Sequence, residues 1–135
     1  MKKVLVGTDT TASADIAVQA AAEIARVAGA ELLVVHVRSN GASHDAADPR
    51  KAADPDRYLT DMSRRFPNVD VRTRAENGAA ADRLVEIAEA ERVDTIVLGN
   101  RGTHGSWWRV RDSVPNIVLR HAPCSVFIVD TRRAQ

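Results

Sequence analysis

Two segments of this sequence carry residue types that could contact a ligand. Thr8-Asp9-Thr10 follows a short apolar run, and Gly99-Asn-Arg101-Gly102 begins directly after another. Glycines let the backbone turn tightly and approach a ligand without an intervening Cβ. Asp112-Ser113-Val114 then opens a predicted helix, whose first N–H groups and positive dipole end can receive an anion. A glycine-rich segment that leads into a helix N-terminus is typical of a phosphate site.

Each feature also has a purely structural explanation. A turn followed by a helix cap accounts for the glycines, and a turn or capping aspartate accounts for Asp9. Arg101, His104, Arg109 and Arg111 could bind phosphate or could be solvated loop charges. The residues alone leave these alternatives open.

Other chemistries lack their signatures. The sequence has no phosphate-binding loop ending in Gly-Lys-Ser/Thr, and no Gly-x-Gly-x-x-Gly follows the first strand. Its four histidines and one cysteine show no metal-ligand spacing. A nucleophile elbow of the Gly-x-Ser-x-Gly type is also missing. A receiver domain would need an acidic pair after the first strand and an aspartate after the third, and neither occurs.

Apolar runs and helical periodicity alternate along the whole chain. They predict five strands, at 3–8, 31–37, 69–74, 95–98 and 125–129, and four helices, at 13–28, 55–66, 79–90 and 113–119. In the first helix, the spacing of Ile16, Ala20, Ile24 and Val27 predicts the inner face. Residues 38–54 and 99–112 are predicted loops, the first of them mobile.

This alternation predicts an α/β fold: a doubly wound five-stranded parallel sheet of order 3-2-1-4-5, with helices on both faces in a three-layer sandwich. Residues 1–135 form a single predicted domain with no linker. The charged third strand would lie at one edge and the apolar fifth strand at the other. Strands one and four would be neighbours at the switch point, where their carboxyl ends open into a ligand crevice.

The length, composition and net charge of the chain limit the kinds of binding partner that we expect. The 135 residues are 44% hydrophobic and 27% charged, with a formal net charge of +1. No basic excess indicates a nucleic-acid or membrane-surface partner. The first apolar run is too short for a signal peptide, no window has the length of a membrane span, and a lone cysteine forms no internal disulfide. We therefore expect a cytoplasmic protein.

Several motifs together resemble the universal stress protein family. They are Val-Gly-Thr-Asp9 after strand one, His36-Val37 closing strand two, Val93-Asp-Thr-Ile-Val-Leu-Gly99-Asn-Arg-Gly102, and Ser113-Val-Pro-Asn116 leading to His121-Ala-Pro-Cys124 and the last strand. The resemblance covers the whole chain. It implies a stress-response regulatory protein that binds an adenine nucleotide, ATP or AMP, with Mg²⁺ only alongside ATP.

The resemblance also implies roles for individual residues. Asp9, flanked by Thr8 and Thr10, would meet the ribose or phosphates, and Val37 would present its backbone to the adenine. Gly99 and Gly102, with the N–H groups of Ser113 and Val114, would hold ribose and phosphates. One of Trp107 and Trp108 could pack on the sheet and the other contact the nucleotide or a surface.

One position departs from the family pattern. Asp112 stands where nucleotide-binding members have glycine, and it brings a carboxylate to the expected phosphate cradle. Asp112 is itself a good N-cap, able to accept the N–H groups that a phosphate would use. We therefore expect monophosphate to be preferred over triphosphate. The alternative is a nucleotide-free dimeric interaction module in which Asp112 plugs the cradle.

Catalysis is not expected, although a slow ATPase stays open. Asp9 and Asp112 could bind Mg²⁺ across a polyphosphate, but no positioned general base is evident. For assembly, Asp70, Arg72 and Arg74 guard the third strand, whereas Ser125–Val129 is an uncharged edge. Such edges favour pairing with another copy, so we expect a homodimer through this last strand.

Overall fold

One parallel sheet organises the chain. The computed structural model describes residues 1–38, 51–100 and 113–131. Its strands are β1 (Lys3–Thr8), β2 (Glu31–Arg38), β3 (Val71–Asn77), β4 (Thr95–Gly99) and β5 (Ser125–Val129). They lie in the order β3-β2-β1-β4-β5, and each neighbouring pair is parallel. The predicted order is confirmed, and β1 and β4 meet where the direction of winding reverses.

Helices cover both faces of this sheet. Those in the described residues are α1 (Ala12–Ala28), α2 (Pro55–Arg65), α3 (Ala80–Ala90) and α4 (Val114–His121). α1 and α2 pack on one face, around Val6, Val34 and Val97. α3 and α4 pack on the other, around Leu5 and Ile96. The predicted three-layer architecture is confirmed.

The central strands are apolar on both sides. Leu32, Leu33, Val34 and Val35 are consecutive in β2 and all buried, two against each pair of helices. Continuous burial of this kind requires helices above and below the strand, because successive side chains point to opposite faces. The absence of alternation in the sequence therefore has a direct structural cause.

The inner face of α1 differs from the prediction. Its buried residues are Ala17, Val18, Ala21, Ala22 and Ala25, whereas Val27 is 73% exposed and Ile16, Ala20 and Ile24 are only partly buried. The predicted helix is therefore confirmed and Ile24 does pack against the core, but the predicted stripe was wrong in including Val27 and in missing the buried alanines. Alanine methyls lie over β1 and β4 instead, since small side chains let the helix approach the sheet closely.

The edge strand β3 is covered by ion pairs on its α3 side. Arg72 pairs with Glu31 at 3.0 Å and Glu91 at 2.8 Å, and Arg74 pairs with Glu76 at 2.6 Å and Glu91 at 3.0 Å. Hydrogen bonds from Lys3 and then Arg72 hold the pKa of Glu91 below its usual range. Charged side chains on an edge strand discourage pairing with another chain. The predicted edge position of this strand is confirmed.

Two elements end later than predicted, and β3 also begins two residues later than the predicted residue 69, at Val71. β3 continues to Asn77, because it stays in register with β2 as far as Arg38↔Asn77, and α4 continues to His121. The predicted loop over 38–54 falls partly, and that over 99–112 almost entirely, outside the described residues. Among the described helices, none combines the length and hydropathy needed to cross a bilayer.

Candidate functional site

A crevice opens between the carboxyl ends of β1 and β4. The two strands pair from Val4↔Thr95 to Val6↔Val97 and no further. β1 nevertheless continues to Thr8 and β4 to Gly99, paired with β2 and β5 respectively. The strands therefore part at the switch point, which is where sheets of this kind bind ligands.

The turn after β1 places Asp9 at this crevice. Asp9 Oδ1 accepts hydrogen bonds from the Thr11 N–H at 3.0 Å and from the Thr11 hydroxyl at 2.5 Å. Thr11 in turn caps α1, since its Oγ1 accepts from the Ala14 N–H at 3.2 Å. Within the described ranges no hydrogen bond reaches Asp9 Oδ2. One carboxylate oxygen of Asp9 thus shapes the turn.

Thr10 holds an unusual conformation beside Asp9. Its φ is 68°, in the left-handed region that a β-branched residue rarely adopts. Such a conformation costs about 1–3 kcal/mol and persists only where surrounding contacts hold it. The Thr10 N–H donates to Thr8 Oγ1 at 3.0 Å, and Thr10 Oγ1 accepts from the Ala52 N–H at 3.2 Å. An antiparallel bridge between Thr11 and Lys51 adds a further contact with the approach to α2.

Val37 directs its backbone toward the crevice. Glu31 N–H donates to the Lys2 carbonyl, on the β1 side, and Leu32 N–H donates to the Asp70 carbonyl, on the β3 side. The alternation of a parallel strand therefore turns the backbone of Val37 to the β1 side. There the β1 pairing ends at Thr8↔His36, one residue earlier. The backbone of Val37 consequently lies at the end of the β1 ladder, in a position suited to the edge of a planar base.

Gly99 makes room for the chain that leaves β5. A Cβ on Gly99 would lie 3.0 Å from the Cγ2 methyl of Thr131 and 3.7 Å from Cβ of Ala17. Thr131 is buried, and its N–H and hydroxyl donate to Asn100 Oδ1 at 3.0 and 3.2 Å. The start of the glycine-rich segment is thus tied to the end of β5, and the missing side chain of Gly99 serves this packing.

Gly99→Ala is expected to lower the free energy of unfolding by about 1 kcal/mol. Overpacking lowers the free energy of unfolding by about 1–3 kcal/mol. Replacing glycine by alanine also restricts the unfolded chain, which raises that free energy by about 0.4–1 kcal/mol. Urea unfolding should show the loss in the parent chain and little or none in a Thr131→Ser background, which lacks the obstructing methyl. An equal loss in both backgrounds would contradict the assignment to Thr131.

At the N-terminus of α4, two backbone N–H groups are placed where a helix can receive an anion. Ser113 is the N-cap, and its Oγ accepts from the Asn116 N–H at 3.4 Å. Pro115 has no N–H to donate. The N–H groups of Ser113 and Val114 have no hydrogen-bond acceptor within the described part of the chain. These are the donors that the family resemblance implicates. Ser113, rather than Asp112, is thus the N-cap residue of α4; where the Asp112 carboxylate lies is outside the described residues.

Three of the predicted site residues, Arg101, Gly102 and Asp112, lie outside the described residues. Trp107 and Trp108 lie there too. The described candidates all come from the carboxyl edge of the sheet or the start of α4: Thr8, Asp9, Thr10, Val37, Gly99, Ser113 and Val114. In the described ranges no group of three histidine, cysteine, aspartate or glutamate side chains is placed to hold a metal ion.

Two side-chain contacts that hold the site in place were not predicted from the sequence. The Nδ1–H of His36 donates to the Thr8 carbonyl at 3.0 Å, and the Tyr58 hydroxyl lies 3.0 Å from Thr8 Oγ1. Tyr58 also donates a short hydrogen bond to Asp15. In the sequence, Tyr58 shares the helical spacing of the apolar residues Met62 and Phe66, which is typical of a core residue. A half-buried tyrosine needs a partner for its hydroxyl, and that requirement was the available signal.

Tyr58 should ionise only at strongly alkaline pH. Burial first, and then its hydrogen bond to Asp15, raise the pKa of the phenol well above its usual value. A raised pKa in the folded state means that the stabilisation is complete below about pH 10 and is lost as the pH rises further. Because Tyr58 is the only tyrosine, ultraviolet phenolate absorbance reports it alone. A folded-state midpoint equal to that in denaturant would contradict this prediction.

Comparison with known proteins gives consistent results. The model of the universal stress protein family matches residues 1–130. A universal stress protein of Mycobacterium tuberculosis is 32% identical over 144 aligned residues, covering 96% of this chain and 97% of the relative. A universal stress protein solved in complex with cAMP is 29% identical, with a TM-score of 0.78, over 96% of this chain and 97% of the other.

A more distant solved structure shares the fold. The universal stress protein from Archaeoglobus fulgidus in complex with dAMP is 19% identical, with a TM-score of 0.69, over 96% of this chain and 98% of the other. At that identity the likeness concerns the architecture alone.

Proposed function

Because the chain belongs to the universal stress protein family, we propose that it is a regulatory stress-response protein that binds an adenine nucleotide between β1 and β4. The observation that carries this proposal is the parting of these strands after Val6↔Val97, which opens a crevice beside Asp9 and Gly99. The relative solved with cAMP supports an adenine nucleotide as the ligand class.

The adenosine half of a nucleotide suits the described residues. The backbone of Val37 would hydrogen-bond the adenine edge, and Asp9 Oδ2 would accept from a ribose hydroxyl. The N–H groups of Ser113 and Val114 would receive a phosphate at the positive end of α4. Arg101 and Gly102 would complete the site. Their part in the proposal comes from the sequence pattern alone.

The residues at the expected phosphate position are less suited to a triphosphate than to a monophosphate. Asp112 directly precedes Ser113 and stands where the family's nucleotide-binding pattern has glycine. A carboxylate repels each added phosphate charge, so a monophosphate or cyclic monophosphate should bind more tightly than ATP. With ATP, Mg²⁺ would partly offset this repulsion by bridging phosphate oxygens.

Calorimetry with AMP, cyclic AMP, ADP and ATP tests the proposal. We expect affinity to fall as phosphates are added, and mass spectrometry of the purified protein to find an adenosine monophosphate. If no nucleotide co-purifies, gives heat or raises the melting temperature, the nucleotide-free interaction module is the better function. Release of ADP from ATP and Mg²⁺ would instead establish an ATPase, which the proposal does not include.

We further propose a homodimer through the outer edge of β5. Val129 accepts from Asn100 on the β4 side, so the alternating backbone groups of Val126 and Ile128 point outward. Ser125–Val129 contains no charge, and Phe127 is 48% exposed. This edge lacks the ion pairs that cover β3, which supports pairing with a second copy.

Light scattering at micromolar concentration should give a dimeric mass. Phe127→Lys is expected to shift the protein toward monomer by at least about tenfold in the dissociation constant, because it places like charges opposite one another across the interface. Val27→Lys, on the exposed side of α1, is the matched control and should leave the mass unchanged. A monomeric parent protein would contradict the dimer.

A further inference from the structure

The hydroxyl of Tyr58 joins three separate elements. It donates to the Asp15 carboxylate in the first turn of α1 and lies 3.0 Å from Thr8 Oγ1 at the end of β1. Tyr58 itself belongs to α2, and Asp15 also pairs with Arg65 at 3.8 Å. A single phenol oxygen therefore connects α2 to both ends of the turn that carries Asp9.

Proton accounting gives this chain of hydrogen bonds one direction. A phenol has one proton, and that of Tyr58 goes to Asp15, whose carboxylate can only accept. Thr8 must therefore donate its hydroxyl proton to Tyr58, and Thr8 Oγ1 accepts from the Thr10 N–H at 3.0 Å. The chain runs from the Thr10 amide through Thr8 and Tyr58 to Asp15. Hydrogen bonds aligned in this way polarise one another.

Thr10, where this series of hydrogen bonds begins, has the backbone conformation that most needs support. Thr10 adopts a φ of 68°, and its amide is held by Thr8 Oγ1. Asp9 lies between Thr8 and Thr10, so the orientation of its carboxylate depends on both neighbours. The Thr8 carbonyl is fixed from the other side by His36. Removing the Tyr58 hydroxyl would leave the Thr8 hydroxyl free to rotate away from its present position.

We propose that Tyr58 is a positioning residue of the nucleotide site: its hydroxyl, acting through Thr8, holds the Thr8–Thr11 turn so that Asp9 faces the crevice. This inference rests on the proposed function for its binding consequence. Its structural consequence, the protection of the Thr10 amide, can be measured without any ligand. Tyr58 touches no nucleotide in this proposal and acts only through the turn.

Tyr58→Phe tests the proposal, since it keeps the ring and removes the hydroxyl. We expect hydrogen exchange at the Thr10 amide to accelerate by about tenfold, with exchange at the core amide of Val34 as the reference for global opening. Calorimetry should show AMP binding weakened by about threefold to tenfold, the worth of one hydrogen bond. Thr60→Ala removes an exposed hydroxyl from the same helix and should change neither quantity.

Variants at Thr8 separate positioning from general packing. Thr8→Val removes the acceptor of the Thr10 N–H itself and should accelerate Thr10 exchange at least as much as Tyr58→Phe, whereas Thr8→Ser keeps the hydroxyl and should resemble the parent. The double variant Tyr58→Phe/Thr8→Val should lose no more than Thr8→Val alone, because both changes break one chain of hydrogen bonds. Additive losses would overturn the proposal, as would an unchanged Thr10 exchange rate in Tyr58→Phe.

The two proposals fail in distinguishable ways. If the parent chain binds AMP and Tyr58→Phe binds it equally well, the positioning role is wrong and the proposed function stands. If the parent chain binds no nucleotide, the proposed function is wrong. The Thr10 exchange rate then still decides, for or against, whether Tyr58 holds the turn.

Discussion

Replacing Asp112 by glycine is expected to strengthen ATP binding by about tenfold and AMP binding by much less. At an effective dielectric constant near 20, two unit charges about 4 Å apart repel by about 4 kcal/mol. Solvent screening reduces this repulsion. A residual of about 1.4 kcal/mol already corresponds to tenfold in affinity. Calorimetry with both nucleotides measures the change in selectivity.

Two controls separate local charge from other effects. Asp112→Asn removes the charge at nearly constant shape, so it should recover most of the gain in ATP affinity. Glu89→Gln removes a negative charge from the exposed side of α3 and should change ATP binding less than twofold, since screening is strong over such distances. Tight ATP binding by the parent chain that Asp112→Gly leaves unchanged would contradict the electrostatic argument.

Ile96→Ala should destabilise the fold by about 2–5 kcal/mol. Ile96 is fully buried in β4, in register with Leu5 on β1 and Val126 on β5, and it belongs to the core beneath α3 and α4. Truncation removes buried methyl groups and leaves a cavity that rigid neighbouring strands cannot close. Since a domain of this size has about 5–15 kcal/mol in all, the loss is a large fraction of its stability.

Urea unfolding measures this loss against a surface control. Val27→Ala removes two methyl groups from a side chain that is 73% exposed, and its effect should stay within about 0.5 kcal/mol. The slope of the free energy against urea should be unchanged in both variants, which keeps the comparison of midpoints valid. A loss below about 1 kcal/mol for Ile96→Ala would mean that the core under β4 relaxes far more than its packing implies.

The order of the sheet could be predicted because the side chains of each strand indicate whether the strand is central or lies at an edge. Leu32 to Val35 are apolar without alternation, which requires helices on both faces, and the alternating charges of Arg72 and Arg74 require an edge. The face of α1 could not be predicted in the same way. Alanine is nearly indifferent between core and solvent, so the larger Ile24 and Val27 dominated the pattern although the alanines pack inside.

The candidate site was predictable to the extent that topology determines it. The end of β1 and the end of β4 must meet at the switch point, which brings Asp9 and Gly99 to one crevice. The contacts that shape the turn were beyond reach, because they join residues far apart in sequence. Nothing in the spacing of Thr8 and Tyr58 indicates that their hydroxyls meet. Only the packing of α2 on the sheet brings them together.

The alanine face of α1 has a consequence for conformational entropy. Ala17, Ala21 and Ala25 have no rotamers to lose, so this helix docks over the crevice without the ordering cost that longer side chains carry. If the turn before α1 takes part in the proposed nucleotide site, we therefore expect reorganisation on binding in that turn rather than in the helix.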